Sequence, residues 1–352
     1  MPSKVWWPII ARNRFRISAS RLPFFLSVSL STPATDLIAG LQHLLHGHKI
    51  DRTELAGPPV FILGHWRSGT TLIHELLELD DRVASPTTYQ CFAPWHFLLT
   101  QAGMTKFGNF LLPKKRPMDN MRAGWQLPQE DEFALANLGS PSVYQRILFP
   151  ENPPPFLNSL NSDAMLESEL GSLKAKLSWF LKALTYHSQK PLVLKSPPHT
   201  GRLRLLRQMY PDAKFIHMVR NPNQLIPSTI RLWQSLDAVQ SLQSSTPNDA
   251  LEQFVFDCFE TMYEGLNSQR SELPEGLVMD VRYEDLVADP ASVVEDVFGH
   301  LHWKHFESIR EKLNVRMAVD SDYQPNQHVV DSNLAERIAT ICGPYSEKYG
   351  YA

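Results

Sequence analysis

An α/β architecture, a central parallel sheet flanked by helices on both faces, is predicted by three features of this sequence. Short apolar runs of strand length alternate with helical stretches, those runs are continuously apolar, and basic residues stand at or just past their carboxyl ends. Continuous apolar strands separated by helices indicate βαβ units, whose parallel sheet is covered on both faces. Ligands of such sheets bind beyond the carboxyl ends of the strands, so Arg67, Lys195 and Arg220 are the residues to follow.

Taken in order, residues 1–56 read as a lead-in segment with a helix over 34–46, and 57–352 as the main domain. A strand over 59–64 precedes a helix over 69–79, and 83–89 reads as a second short strand. The stretch 103–160 is the least regular, because Pro113, Pro117, Pro128, Pro141, Pro150 and the run Pro153-Pro154-Pro155 keep breaking helical patterns. Loop-rich insertions on α/β scaffolds commonly build the substrate side. Regularity returns with a helix over 163–187, a buried strand over 192–195, a helix over 200–209 and a strand over 214–219. Helices over 222–236 and 250–268, a strand over 277–282 and a helix over 290–301 complete the core.

The net charge of −3 excludes the global basicity of a nucleic-acid binder, so any positive site must be local. Three widely spaced cysteines, Cys91, Cys258 and Cys342, form neither a CxxC pair nor a disulfide framework, which favours a reducing, cytoplasmic setting, and no Cys/His metal cluster is expected. The lead-in has no acidic residue before Asp36, but carries Lys4, Arg12, Arg14, Arg16 and Arg21 with the aromatics Trp6 and Trp7. Its apolar run from Leu22 is interrupted by Pro23, Ser27, Ser29, Ser31, Thr32 and Pro33, and so reads as too short for a bilayer span. It also lacks the continuous core and cleavage site of a signal peptide. Packing on the domain's flank and contact with an anionic membrane surface remain the two readings of this segment.

Between the first strand and its helix lies Gly64-His65-Trp66-Arg67-Ser68-Gly69-Thr70-Thr71, with the spacing of a Walker phosphate loop and Thr70 in place of its Lys. The glycines permit backbone geometry other residues resist. Amides at the helix start point at an anion. In nucleoside-triphosphate enzymes the missing Lys reaches the β- and γ-phosphates; here Arg67 is the cation inside the loop, and a shorter anion is expected. His65 reads as a packing residue. A second anion site is suggested by Arg220 at the end of the strand 214–219, with Ser228 eight residues later in the next helix and Arg231 on the same helical face.

With these motifs assembled, the sequence resembles the PAPS-dependent sulfotransferases, most closely the bacterial members and more distantly the tyrosylprotein sulfotransferases. The resemblance spans roughly residues 58–290. It rests on Arg67-Ser68-Gly69-Thr70-Thr71 as the 5′-phosphosulfate loop, on Arg220 with Ser228 as the 3′-phosphate site, and on Arg282-Tyr283-Glu284-Asp285-Leu286 followed by Asp289-Pro290. It implies a P-loop-type fold, a sulfotransferase domain over 57–352, the donor 3′-phosphoadenosine 5′-phosphosulfate without a metal, and contact between Tyr283 and the nucleotide. Lys195-Ser196-Pro197 matches a Lys-containing strand end of the tyrosylprotein enzymes.

Sulfuryl transfer resembles phosphoryl transfer, in which catalysis is mostly positioning and stabilisation of a leaving oxygen. Arg67 and Lys195 are the candidates for that stabilisation. A hydroxyl acceptor also needs a general base. Tyrosylprotein sulfotransferases carry a Glu shortly after the loop helix, but this chain has Ser85-Pro86-Thr87-Thr88-Tyr89-Gln90 there. Gln129-Glu130-Asp131-Glu132-Phe133 offers a replacement, with Glu130 chosen and Glu132 next; acids in a first helical turn also serve the helix dipole. His199 is a rival base, and 323–328 (YQPNQH) a segment that could close over the donor.

The sequence does not identify the acceptor; a hydroxyl or amine on a small molecule, lipid or carbohydrate is expected, with Phe107, Phe110, Leu111, Leu112 and Trp125 able either to line an apolar pocket or to pack the core. Two other functions fit parts of the pattern: a P-loop kinase, which the absent loop Lys disfavours, and a non-catalytic nucleotide-binding protein, which the intact Arg67, Lys195, Arg220 and Ser228 disfavour.

Overall fold

The computed structural model of the chain describes residues 1–108, 123–243, 247–320 and 331–351. Strands β1 (Val60–Leu63), β2 (Val193–Lys195), β3 (Lys214–Val219) and β4 (Val278–Arg282) form one sheet in the order β2-β1-β3-β4. Every pairing is parallel. From β1 the chain moves to β2 on one side, and from β3 to β4 on the other, so the loops after β1 and β3 diverge and leave a crevice where such sheets bind ligands.

The continuous apolar strands explain themselves by burial on two faces. Phe61 and Leu63 of β1 enter one core with α7 (Glu167–Ser188) and α10 (Asn248–Arg270), while Val60 and Ile62 enter a second with α3 (Thr70–Leu77) and α12 (Pro290–His300). Strand β3 splits the same way, Phe215 and Val219 to one side, Ile216 and Met218 to the other. A period-two polar pattern is missing from these strands because neither face meets water.

The expected strand over 83–89 is not one. Ala84 makes a single parallel bridge to Leu192, and Thr88–Phe92 is a helix, α4. Thr87 and Gln90 cap it reciprocally: the Thr87 hydroxyl accepts from the Gln90 amide and the Gln90 side chain accepts from the Thr87 amide. That Thr-x-x-Gln spacing is a helix-start signal which outweighs the β-branched residues. Helix α5 (Phe97–Phe107) follows, and beyond Trp125 the expected irregular region holds α6 (Asp131–Asn137) and short 3₁₀ turns. Phe110, Leu111 and Leu112, and the segment 323–328, lie outside the described residues.

The lead-in also departs from expectation. Helix α1 (Ser3–Arg12) buries Val5, Trp6, Ile9 and Ile10 against Phe149 and Leu242. Helix α2 then runs unbroken from Leu22 to Asp51 instead of only over 34–46. Pro23 falls in the first turn, where a missing N–H costs nothing. Pro33 deprives the Ser29 carbonyl of its helical donor, but the Thr32 hydroxyl donates to that carbonyl at 2.9 Å. The helical stretch 19–51 is therefore long and apolar enough by length and composition to cross a membrane, contrary to the reading from its interruptions.

Candidate functional site

The loop after β1 is built by its glycines. Gly64 has φ 131°, and a Cβ there would lie 2.6 Å from the Ser68 hydroxyl and 2.7 Å from the Met218 carbonyl. Gly69 has φ 98°, and a Cβ there would lie 2.5 Å from the Tyr283 ring. Between them Arg67 also takes a left-handed conformation, φ 69°, which costs a non-glycine residue on the order of 1 kcal/mol or more and turns its side chain away from the loop's interior. Ser68 points the other way. It is fully buried, and both its amide and its hydroxyl donate to the His65 carbonyl, so its side chain closes the loop. His65 is buried beneath, as its packing role requires, and burial lowers its pKa to about 4. The chain re-enters a helix at Thr70, where first-turn amides have no acceptor within the helix.

Strand β3 delivers Arg220 to the same place. Its guanidinium donates to the Arg67 carbonyl at 2.8 Å and to Gln224 at 3.2 Å, and stacks 4.2 Å from the Tyr283 ring. Arg67 Nε in turn donates to the Ser228 hydroxyl at 3.0 Å. The four residues singled out for two anion sites on separate elements thus share one crevice between the ends of β1, β3 and β4. Arg231, on the following turn of α9 (Pro222–Gln240), is exposed. Two guanidinium groups, a hydroxyl and the first-turn amides of α3 are gathered here, and the glycines let backbone approach closely, a combination suited to binding an anion.

Across the sheet, β2 ends at Lys195, 2% exposed. Its ammonium donates to Glu130 at 2.8 Å and lies 3.4 Å from the Thr71 hydroxyl, so it ties the phosphate loop to the insertion. Glu130 is the N-cap residue of α6, with its carboxylate 15% exposed. Its second oxygen accepts a short hydrogen bond from the Tyr144 hydroxyl, which itself accepts from Trp66 Nε1 at 2.7 Å. Burial, and next the Glu130 charge, push the Tyr144 pKa well up, so the phenol remains a donor.

The other two acids of the triplet are spent. Asp131 accepts from Ser196 at 2.8 Å and is hydrogen-bonded to His199 at 2.7 Å, with both side chains at 0% exposure. Burial opposes its charge, yet His199 and Ser196 hold its pKa below the usual carboxylate value. Glu132 takes both guanidinium arms of Arg202, at 2.7 and 3.2 Å, and this pair is equally sealed. Three consecutive acids therefore meet Lys195, His199 and Arg202, three residues at and just after the end of β2, in sequence order. Only the first pair reaches the cleft, which leaves Glu132 and His199 without access to an acceptor.

Sequence reasoning missed two groups. Tyr144 gave no signal beyond an aromatic in a loop. The C-terminal tyrosines gave a weak one, spaced aromatics at the chain's end: Tyr345 accepts from the Arg220 amide at 3.0 Å, and Tyr351 donates to Glu284, which accepts from the Asn221 amide. They clamp the turn that carries Arg220.

Comparison with known proteins places the chain in a family. The sulfotransferase family model matches residues 58–307. The omega-hydroxy-beta-dihydromenaquinone-9 sulfotransferase Stf3 of Mycobacterium bovis is 35% identical over 346 residues, 98% of this chain and 89% of that protein. The protein of the same name from Mycobacterium tuberculosis matches to the same extent. Among solved structures, sulfotransferase STF9 from Mycobacterium avium superposes with a TM-score of 0.68 at 16% identity, covering 88% of this chain and 81% of that one. Sulfotransferase STF1 from Mycobacterium tuberculosis H37Rv gives 0.62 at 18% identity, over 86% and 82% of the two chains. At these identities the two structures speak to the fold alone, a parallel sheet between helices.

Proposed function

This chain belongs to the sulfotransferase family and is a sulfotransferase, and from that premise we propose that it moves the sulfuryl group of 3′-phosphoadenosine 5′-phosphosulfate to a hydroxyl on an apolar, lipid-class acceptor. The observation that carries the reading is the contact of Lys195 with both Glu130 and the phosphate-loop residue Thr71, which joins a donor site to a carboxylate across about one side chain's breadth.

The donor's two anionic ends are assigned to the two halves of the crevice. The amides of Gly69, Thr70 and Thr71 with Arg67 take the 5′-phosphosulfate; Arg220 and Ser228 take the 3′-phosphate, with Tyr283 beside them. Ser68 contributes by holding the loop's shape. In the transfer, the S–O bond to the 5′-phosphate breaks as the acceptor oxygen bonds to sulfur, and adenosine 3′,5′-bisphosphate leaves. Glu130 takes the acceptor's hydroxyl proton. Lys195 and Arg67 stabilise the charge that grows on the phosphate oxygen, in a site where such donors are already oriented and need no reorganisation. Tyr144 and Trp66 hold the Glu130 carboxylate in place, so Tyr144 is a positioning residue.

The acceptor class is supported by the aromatics that flank Glu130. Phe133 lies edge-on to Tyr144 at 4.8 Å and against Phe92 at 5.4 Å, and Phe92 is 40% exposed, so a series of contacting aromatic rings connects the surface to the residue that holds the carboxylate. The named substrate of the mycobacterial relative, a hydroxylated menaquinone, is of the same chemical kind. The test is calorimetric titration with adenosine 3′,5′-bisphosphate and, separately, with Mg-ATP. Tighter binding of the bisphosphate, weakened in Arg220→Ala, is expected; tighter binding of Mg-ATP overturns the donor assignment. Mass spectrometry of a hydroxylated isoprenoid quinone incubated with enzyme and donor then reads the acceptor class, where a gain of one sulfuryl group is the expected product.

A further inference from the structure

Helix α2 has two apolar faces, and the fold uses one. Phe25 and Val28 pack with α1, Trp6 Nε1 donates to Ser29 at 2.9 Å, Gln42 accepts from the Leu98 amide at 2.9 Å, His46 contacts Tyr186 at 3.2 Å, and Ile50 is buried in the main core. These anchors run nearly the whole length of the helix, so α2 lies along the domain's side.

At 100° per residue, Leu22, Leu26, Leu30, Leu37, Leu41 and Leu44 fall on a single stripe on the opposite side of the helix. All six are exposed, with Leu30 at 79%, Leu37 at 76% and Leu44 at 81%. Over 22–48 the helix carries one charged residue besides its histidines, Asp36. At 1.5 Å per residue the stripe is roughly 35 Å long, an apolar surface far outside the scattered exposed leucines of an ordinary soluble domain.

The charges gather at the ends. Arg12, Arg14 and Arg16 line one cavity of about 240 Å³ with Asn13, Asn152, Pro153 and Pro155, directly before α2, and Lys49, Asp51 and Arg52 stand at its other end. An exposed apolar stripe with arginines at its approach is the pattern of a helix lying in the plane of an anionic leaflet. A spanning orientation would require α2 to leave the protein along its length, exposing Gln42, His46 and the surfaces they meet.

We propose that α2 docks this chain on an anionic lipid leaflet, in the membrane plane, with Leu26, Leu30, Leu37, Leu41 and Leu44 entering the acyl boundary and the Arg12–Arg14–Arg16 cluster holding lipid phosphates. The anionic leaflet is favoured over a second copy of the chain as the occupant, because those arginines have no acidic counterpart in the segment before Asp36. This inference is independent of the donor and base assignments.

Flotation of the full chain with phosphatidylcholine vesicles, with and without phosphatidylglycerol, tests it. The wild type is expected to float with the anionic vesicles and to be released by salt. Leu30→Asp/Leu37→Asp/Leu44→Asp, and separately Arg14→Glu/Arg16→Glu, are expected to partition at least about tenfold more weakly, with the circular-dichroism spectrum unchanged. Because both sets are exposed, each serves as a check on the other's fold. No flotation of the wild type, or flotation that neither set weakens, overturns the proposal. So does a wild-type dimer that the leucine variant makes monomeric, since the stripe then serves a second copy. Resistance of native membranes to alkaline carbonate extraction would overturn the in-plane geometry in favour of a span.

Discussion

Glu130 and Glu132 stand two residues apart at the start of one helix, each beside a cation of the same segment, yet they occupy different physical situations. The Glu130–Lys195 pair borders the cleft, with the carboxylate 15% exposed; the Glu132–Arg202 pair is sealed at 0% on both sides. Burial separates a group that can exchange a proton with a substrate from one whose charge is committed to its partner. Asp131–His199 shows the same with a residue type usually read as reactive: a histidine on a carboxylate on a serine, all enclosed, is here a brace.

The contrast is broken or sharpened first at the open pair. Glu130→Gln is expected to slow single-turnover sulfation by about 10²–10⁴, the range of general-base catalysis, and Lys195→Ala by about 10²–10³ through loss of leaving-group stabilisation. Both are expected to lower the urea midpoint less than Glu132→Gln does, because the Glu130 side chain keeps contact with solvent. Near-normal turnover in Glu130→Gln would remove the base from α6 altogether.

The sealed pair is expected to behave in the opposite way. Glu132→Gln strands the Arg202 guanidinium in the core, a loss of about 3–5 kcal/mol, which urea denaturation reads as a shifted midpoint. What folded enzyme remains is expected to keep its turnover. A Glu132→Gln protein of normal stability but little activity would exchange the roles of the two acids.

The smallest effect is expected at His65, sealed beneath the loop and held neutral by burial. Its pKa falls from 6.5 to about 4 on folding. The folded state therefore gives up a proton that the unfolded chain binds, so the contribution is fully present above pH 6.5 and is lost as pH falls towards 4, about 3 kcal/mol in all. His65→Asn is expected to flatten the fall in the urea midpoint between pH 7 and pH 4.5; an unchanged fall would assign the acid sensitivity to other groups.

Much of this was legible before folding. The continuous apolar runs required a doubly covered parallel sheet, and the glycine spacing around Arg67 with the strand-end Arg220 required an anion crevice at its carboxyl edge. The sheet follows from burial and the convergence of Arg67 and Arg220 at its carboxyl edge from local geometry, which sequence patterns record directly; that an anion binds there is the proposal. The strand expected over 83–89 failed where the capping pair Thr87 and Gln90 outweighed β-branched composition, a signal present but not used. Helix α2 failed differently: a proline reads as a break, but the Thr32 hydroxyl beside it occupies the orphaned Ser29 carbonyl three residues back, a local compensation the proline count overlooked.

By itself, then, the sequence determined which residue types stand at strand ends and loop turns, and hence the reaction family to which they are suited. It put Glu130 before Glu132 without a physical ground for the order, because adjacent residues share every local property and differ only in what the opposing segment brings to them. Tertiary packing decided that by setting Lys195, His199 and Arg202 in line across from them and by letting solvent reach one pair of the three. It likewise decided which of α2's two apolar faces is core and which is left at the surface, since helical periodicity shows that two faces exist and burial alone distinguishes them.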